Sequence, residues 1–93
     1  MSDPTLKIVI AWSDRRNLCS LVRDALREMV AESEMRALGD DATVIHANET
    51  TEAIRDRLRE RLDAGDHLFV VEFETWSGYG SAVDTSWLLA RGH

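Results

Sequence analysis

Ninety-three residues with 44% hydrophobic and 30% charged side chains have the composition of one ordinary globular domain, which excludes intrinsic disorder and a multi-domain chain. No run of 18 apolar residues occurs, which excludes a membrane-spanning helix. Seventeen acidic against eleven basic residues give a net charge of −6, the wrong sign for gripping phosphates over the whole surface.

Residues 1–93 read as a single unit, without repeat, low-complexity stretch or linker. Leu6-Lys7-Ile8-Val9-Ile10-Ala11 is short, apolar and rich in β-branched residues, as in a largely buried strand. Ser13 and Asp14 follow as candidate N-caps. The period then changes from 2 to 3.6. Leu18, Leu21, Val22, Ala25, Leu26, Met29 and Val30 form one apolar stripe of a helix. The stretch Met35 to Leu38 either continues that helix or forms an edge strand ahead of the turn Gly39-Asp40-Asp41. A strand is favoured, because Ala42-Thr43-Val44-Ile45-His46-Ala47 on the other side of the turn completes a hairpin.

Thr50 and Thr51 are candidate N-caps of a second helix, on which Ile54, Leu58 and Leu62 recur every four residues. Gly65 stands where a glycine would end it. His67-Leu68-Phe69-Val70-Val71-Glu72-Phe73 is the clearest strand. A loop through Trp76, Gly78 and Gly80 leads to a short terminal helix over residues 82–90.

The expected fold is therefore α+β, a ferredoxin-like βαββαβ sandwich with an extra C-terminal helix. The competing arrangement runs the first helix to Leu38 and leaves a three-stranded α/β sheet. Strand alternation places Leu6, Ile8, Ile10, Phe69, Val71 and Phe73 on the expected helix side, and Lys7, Val9, Ala11, Leu68, Val70 and Glu72 on the opposite face. In this order the first and last strands are antiparallel neighbours, so Lys7 meets Glu72. The opposite face is still substantially apolar. Either the tail, residues 75–93, folds back over it, or a second copy covers it. The expected homodimer interface comprises Val9, Ala11, Val44, Leu68, Val70, Trp76 and Trp87.

Glu52-Ala53-Ile54-Arg55-Asp56-Arg57-Leu58, then Leu62-Asp63-Ala64-Gly65-Asp66-His67-Leu68-Phe69-Val70, then Trp76, Gly78, Gly80 and Trp87-Leu88, together resemble the SinR-like branch of the small CRISPR-associated endoribonuclease superfamily. Ser13-Asp14-Arg15-Arg16-Asn17 is similar to the segment after the first strand in CRISPR-associated members. The likeness covers most of the chain and is strongest from Ala42 to Leu88. It implies a homodimer of ferredoxin-like domains, acting either as a metal-dependent nuclease or as a non-catalytic adaptor. In the nuclease pattern an acidic residue ends the first strand. The matching position here is Ala11, beside Trp12, and neither offers the oxygen ligands that a hard cation needs. Asp14 is the candidate catalytic residue of a nuclease using Mg or Mn. Its competing role is a helix cap, and without nuclease activity no cofactor is expected.

The remaining chemistry is sparse. His46, His67 and His93 have no metal-ligand spacing among themselves or with Cys19, which reads as an inert, semi-buried thiol. Ser77-Gly78-Tyr79-Gly80-Ser81 lacks the lysine of a phosphate-binding loop and reads as a connector. The arginines between Arg55 and Arg61 are neutralised by interleaved acids. Arg15, Arg16, Arg23 and Arg27 are better grouped, and any weak nucleic-acid binding is expected there. The single cysteine and the polar N-terminus lead to an expected cytoplasmic location. The expected role is a non-catalytic homodimeric adaptor. The alternatives are the Asp14 nuclease and a small-molecule-sensing ferredoxin-like dimer.

Overall fold

The computed structural model describes residues 3–91. Four strands, β1 (Thr5–Ser13), β2 (Met35–Ala37), β3 (Ala42–Ala47) and β4 (Asp66–Phe73), form one antiparallel sheet in the order β2-β3-β1-β4. Helix α1 (Cys19–Arg27) connects β1 to β2, and α2 (Thr51–Arg59) connects β3 to β4. A 3₁₀ turn at Glu32–Glu34 precedes β2, and α3 (Thr85–Arg91) follows β4. The chain is thus α+β. The 3₁₀ turn and α3 are additions to a bare βαββαβ succession. No helix among the described residues is long and apolar enough to cross a membrane.

Local chemistry explains most boundaries. Thr50 caps α2, its side chain accepting from the Ala53 N–H at 3.1 Å. Gly65 and Gly39 have φ of +92° and +143°, values that favour glycine in the turns they form. Met35–Ala37 is a strand rather than a continued helix. Its register runs Met35 to Ile45 and Ala37 to Thr43, closed by the Leu38 N–H on the Ala42 carbonyl at 2.9 Å. The expected caps at Ser13 and Asp14 do not form. Strand pairing with β4 carries β1 through Ser13, and α1 starts only at Cys19, whose N–H is held by Asn17 Oδ1 at 2.8 Å. The helix also stops at Arg27, short of Met29 and Val30, which still pack on the core from the following turn.

The strand order puts Lys7 opposite Glu72, with Nζ and Oε1 3.6 Å apart. The two faces, however, are the reverse of those expected. Val9, Ala11, Ile45 and Ala47 lie beneath α1 and α2, packed with Leu18, Val22, Leu26, Ile54 and Leu58. Leu68 and Val70 pack against this same core. Leu6, Ile8, Val44 and Phe73 lie on the other face, with Trp87 and Leu88 of α3. Alternation shows that two faces exist. It does not say which one the helices take when both are apolar. Lys7 misdirects the assignment: it is buried, at 2% exposure, under the helix layer.

Candidate functional site

The outer face of the sheet is divided in two. Over one half, α3 seats Trp87 and Leu88 on Leu6 and Val44, flanked by Ile8, Leu38, Phe73, Trp76 and Val83. Hydrogen bonds and ion pairs around Trp87 hold this helix down. The indole Nε1 donates to the Ser33 carbonyl at 2.7 Å. The Arg91 and Arg36 guanidinium carbons lie 4.5 and 5.3 Å from the Trp87 ring centroid, close enough for cation–π attraction. Arg91 also pairs with Glu34 at 2.7 Å, and Arg36 with Asp84 at 3.2 Å. The Arg91 bond, followed by that from His46, holds the Glu34 carboxyl below its ordinary value. Asp84 is lowered mainly by accepting the Trp87 backbone N–H. The loop between β4 and α3 closes a cavity of about 290 Å³ over Ile8, Val44 and Phe73. A Cβ at position 78 would stand 2.7 Å from Val83 Cγ1, so the close approach of this loop requires Gly78.

The other half is open. Ile10 pairs with Phe69 and Ile8 with Val71 across β1 and β4, and Trp12 pairs with His67, so these side chains share the outer face. Phe69 is 58% and Trp12 44% exposed. The Trp12 and His67 rings stack, with centroids 5.3 Å apart. This aromatic strip borders β4, an eight-residue edge strand whose one partner in the sheet is β1.

The expected interface residues fall elsewhere. Val9 and Ala11 are buried beneath the helices, and Leu68 and Val70 are half-buried against the same core. Val44 and Trp87 are buried in the contact between the sheet and α3, and Trp76 packs beside them. Their apolar character is already used inside the monomer. The residues that remain open, Trp12 and Phe69, belong to the opposite parity, as do the half-buried Ile10 and Val71 beside them. Trp12 was the available sequence signal, an aromatic following the first apolar run that was placed on neither expected face.

The grouped arginines are also committed internally. Arg15 donates to the Ala64 carbonyl at 2.7 Å. Arg16 pairs with Asp66 at 2.6 Å. That bond, with those from Ser13 and the Asp63 N–H, pulls the Asp66 carboxyl far below the ordinary carboxylate range. Arg23 binds Thr43 Oγ1, the Gly39 carbonyl and Cys19 Sγ, tying α1 to the β2–β3 hairpin. Arg27 pairs with Asp24 and Glu32. These four cations saturate carbonyls and carboxylates instead of forming a free basic face.

Asp14 stands beyond the end of β1 with 72% of its side chain exposed, and His67 Nε2 lies 3.4 Å from its Oδ2. Among the described residues no three His, Cys, Asp or Glu side chains gather as a metal site. His46 bonds Glu34 at 3.1 Å in the α3 latch, and His93 lies outside the described residues. No protein-family model, curated protein or solved structure matches the chain.

Proposed function

We propose that the chain is a non-catalytic interaction module, a single ferredoxin-like domain that works as a homodimer in the cytoplasm through the open half of its outer sheet face. The observation that carries this reading is the strip formed by Ile10, Trp12, Phe69 and Val71. Its aromatic members Trp12 and Phe69 stay exposed, with Ile10 and Val71 half-buried beside them, although α3 reaches the same face. Solvent contact forfeits roughly 25 cal/mol for each Å² of apolar surface that a partner could cover. A second copy is the partner that fits. The domain spans 36 × 34 × 20 Å. Half of one broad face therefore offers on the order of 600 Å², near the ~800 Å² that each partner contributes to a standard interface. A strip of apolar and aromatic side chains carries no charge, so it meets its own copy across a two-fold axis without like-charge repulsion. A chain of net charge −6 is repelled by phosphate backbones, and its grouped arginines are already paired, which disfavours nucleic acid on this surface.

The resemblance to the SinR-like branch points the same way, toward a ferredoxin-like dimer that acts as an adaptor. The Asp14 nuclease gains less support, because among the described residues that carboxylate is bonded to His67 and joins no metal-binding cluster. A dilution series followed by amide NMR tests the dimer. Resonances of Ile10, Trp12, Phe69 and Val71 are expected to shift between micromolar and millimolar protein. Leu89, equally exposed on α3, is expected to stay still. Shifts confined to α3, or none anywhere, would remove this surface as the interface.

A further inference from the structure

Lys7 is a charged residue buried at 2% exposure, and it opens onto a polar recess at the far end of β1 from Trp12. The recess has a volume of about 420 Å³ and is lined by Asp3, Thr5, Lys7, Thr51, Glu52 and Glu72, with Asn48 and Thr50 at its side. Lys7 Nζ donates to Thr5 Oγ1 at 2.6 Å and to the Ala47 carbonyl at 2.8 Å. Glu72 Oε1 stands farther off at 3.6 Å and accepts instead from Thr5 Oγ1 at 3.1 Å. An ammonium has three protons to place, and two of them have acceptors at hydrogen-bond distance.

A charge buried this deeply is a poor stabilising device, because an apolar side chain of similar size usually serves the fold as well or better. The inner face is otherwise built from Val9, Ala11, Ile45 and Ala47, so a longer apolar residue would complete it. Around the ammonium the charges are ordered. Lys7 is buried while Asp3, Glu52 and Glu72 are exposed, so the cation forms the floor of the recess and the carboxylates its rim. Glu52 is held below its ordinary value first by its own backbone N–H and then by the Thr51 hydroxyl, so it is ionised at neutral pH.

We propose that this recess binds a small zwitterion, an α-amino acid or a close analogue, with its carboxylate on Lys7 and its ammonium among the surrounding carboxylates. A simple carboxylate meets the three acids without compensation. A simple amine pairs with the carboxylates and leaves the third proton of Lys7 without an acceptor at hydrogen-bond distance. Only a ligand carrying both charges satisfies the floor and the rim together, and the threonine hydroxyls supply further hydrogen bonds. This reading is independent of the proposed dimer, because the recess uses the other end of β1 and the inner-face residues Lys7 and Glu72.

The test titrates the full chain with the common α-amino acids. Each is run against its hydroxy-acid analogue, which lacks the ammonium, and its decarboxylated amine. Binding is read from the NMR signals of Thr5, Asn48 and Thr51. At least one amino acid is expected to saturate at millimolar concentration or below, with both analogues about tenfold weaker. Lys7→Met is expected to fold with an unchanged or raised thermal midpoint and to lose binding about tenfold or more. Glu72→Gln changes an exposed carboxylate and leaves the buried ammonium in place. It is expected to weaken the amino acid about threefold and to leave the hydroxy acid bound as well or better. The proposal is overturned if no amino acid perturbs these signals, if the analogues bind as well, or if Lys7→Met folds and binds undiminished. If Lys7→Met does not fold, an undiminished amino-acid affinity in Glu72→Gln overturns it equally.

Discussion

The two faces of this sheet are both apolar, yet they are finished in different ways. Beneath α1 and α2 the centre is closed: Val9, Ile45, Ile54, Leu26 and Leu58 are at 1% exposure or less. On the outer face a single short helix covers one half and depends on a ring of polar contacts around Trp87 to stay in place. The other half is left to Trp12 and Phe69. The inner face is stabilised by area, which is insensitive to pH and salt. The α3 contact adds charge, which is sensitive to both. The open half adds nothing until a partner arrives.

Charge placed on each face should separate them most strongly. Leu58→Asp buries an unpaired carboxylate in the closed core and is expected to cost more than about 4 kcal/mol, enough to abolish folding. Val71→Asp places the same group on the open half of the outer face, where it is expected to cost about 1 kcal/mol or less. Denaturant titration of the two variants distinguishes them. Equal destabilisation would mean that the faces are not different. Val70→Lys is expected to fall between the two, since Val70 is half-buried against the inner core.

The α3 contact comes next. Trp87→Ala removes a buried ring, its indole hydrogen bond and its two neighbouring cations, an expected loss of about 3 kcal/mol. Hydrogen exchange should accelerate in α3 while β1 and β3 stay protected. Uniform acceleration would show that α3 is part of the main cooperative unit.

Acid should act on the same helix with a smaller effect. Glu34 binds its proton less readily when folded, because Arg91 and then His46 stabilise the carboxylate. Its contribution is therefore complete above its ordinary value of 4.5 and is lost as pH falls through the lower folded value. Asp84 acts in the same direction from its own ordinary value of 3.8. Trp87 fluorescence, read in a Trp12→Phe, Trp76→Phe background, is expected to report α3 undocking below about pH 4.5, ahead of global unfolding. Glu34→Gln should flatten the upper part of that transition. An unchanged profile would remove Glu34 from the latch.

Much of this division was legible in the sequence. The antiparallel pairing of β1 with β4, the Lys7–Glu72 contact and the Met35–Ala37 strand all follow from turn chemistry and alternation. What failed was the choice of face, and the cause is specific. A lysine ordinarily lies on the solvent side, but Lys7 at the end of β1 reaches Thr5, the Ala47 carbonyl and Glu72 without leaving the helix layer, and Val9 and Ala11 share its parity. The expected arginine surface failed for a related reason. Sequence spacing shows which cations share a helix face, but not the carbonyls of Gly39 and Ala64 that satisfy Arg23 and Arg15.

Phe69 and its neighbours are proposed as the face for a second copy. Light scattering on the wild-type chain and on Phe69→Lys tests this most directly. Phe69 is 58% exposed, so the lysine should alter monomer stability by less than about 0.5 kcal/mol and leave the circular dichroism spectrum unchanged. The wild type is expected to scatter at twice the 10.5 kDa chain mass at high micromolar concentration, and Phe69→Lys at 10.5 kDa. A wild-type particle of 10.5 kDa under those conditions, or a Phe69→Lys variant that remains dimeric, would contradict the account.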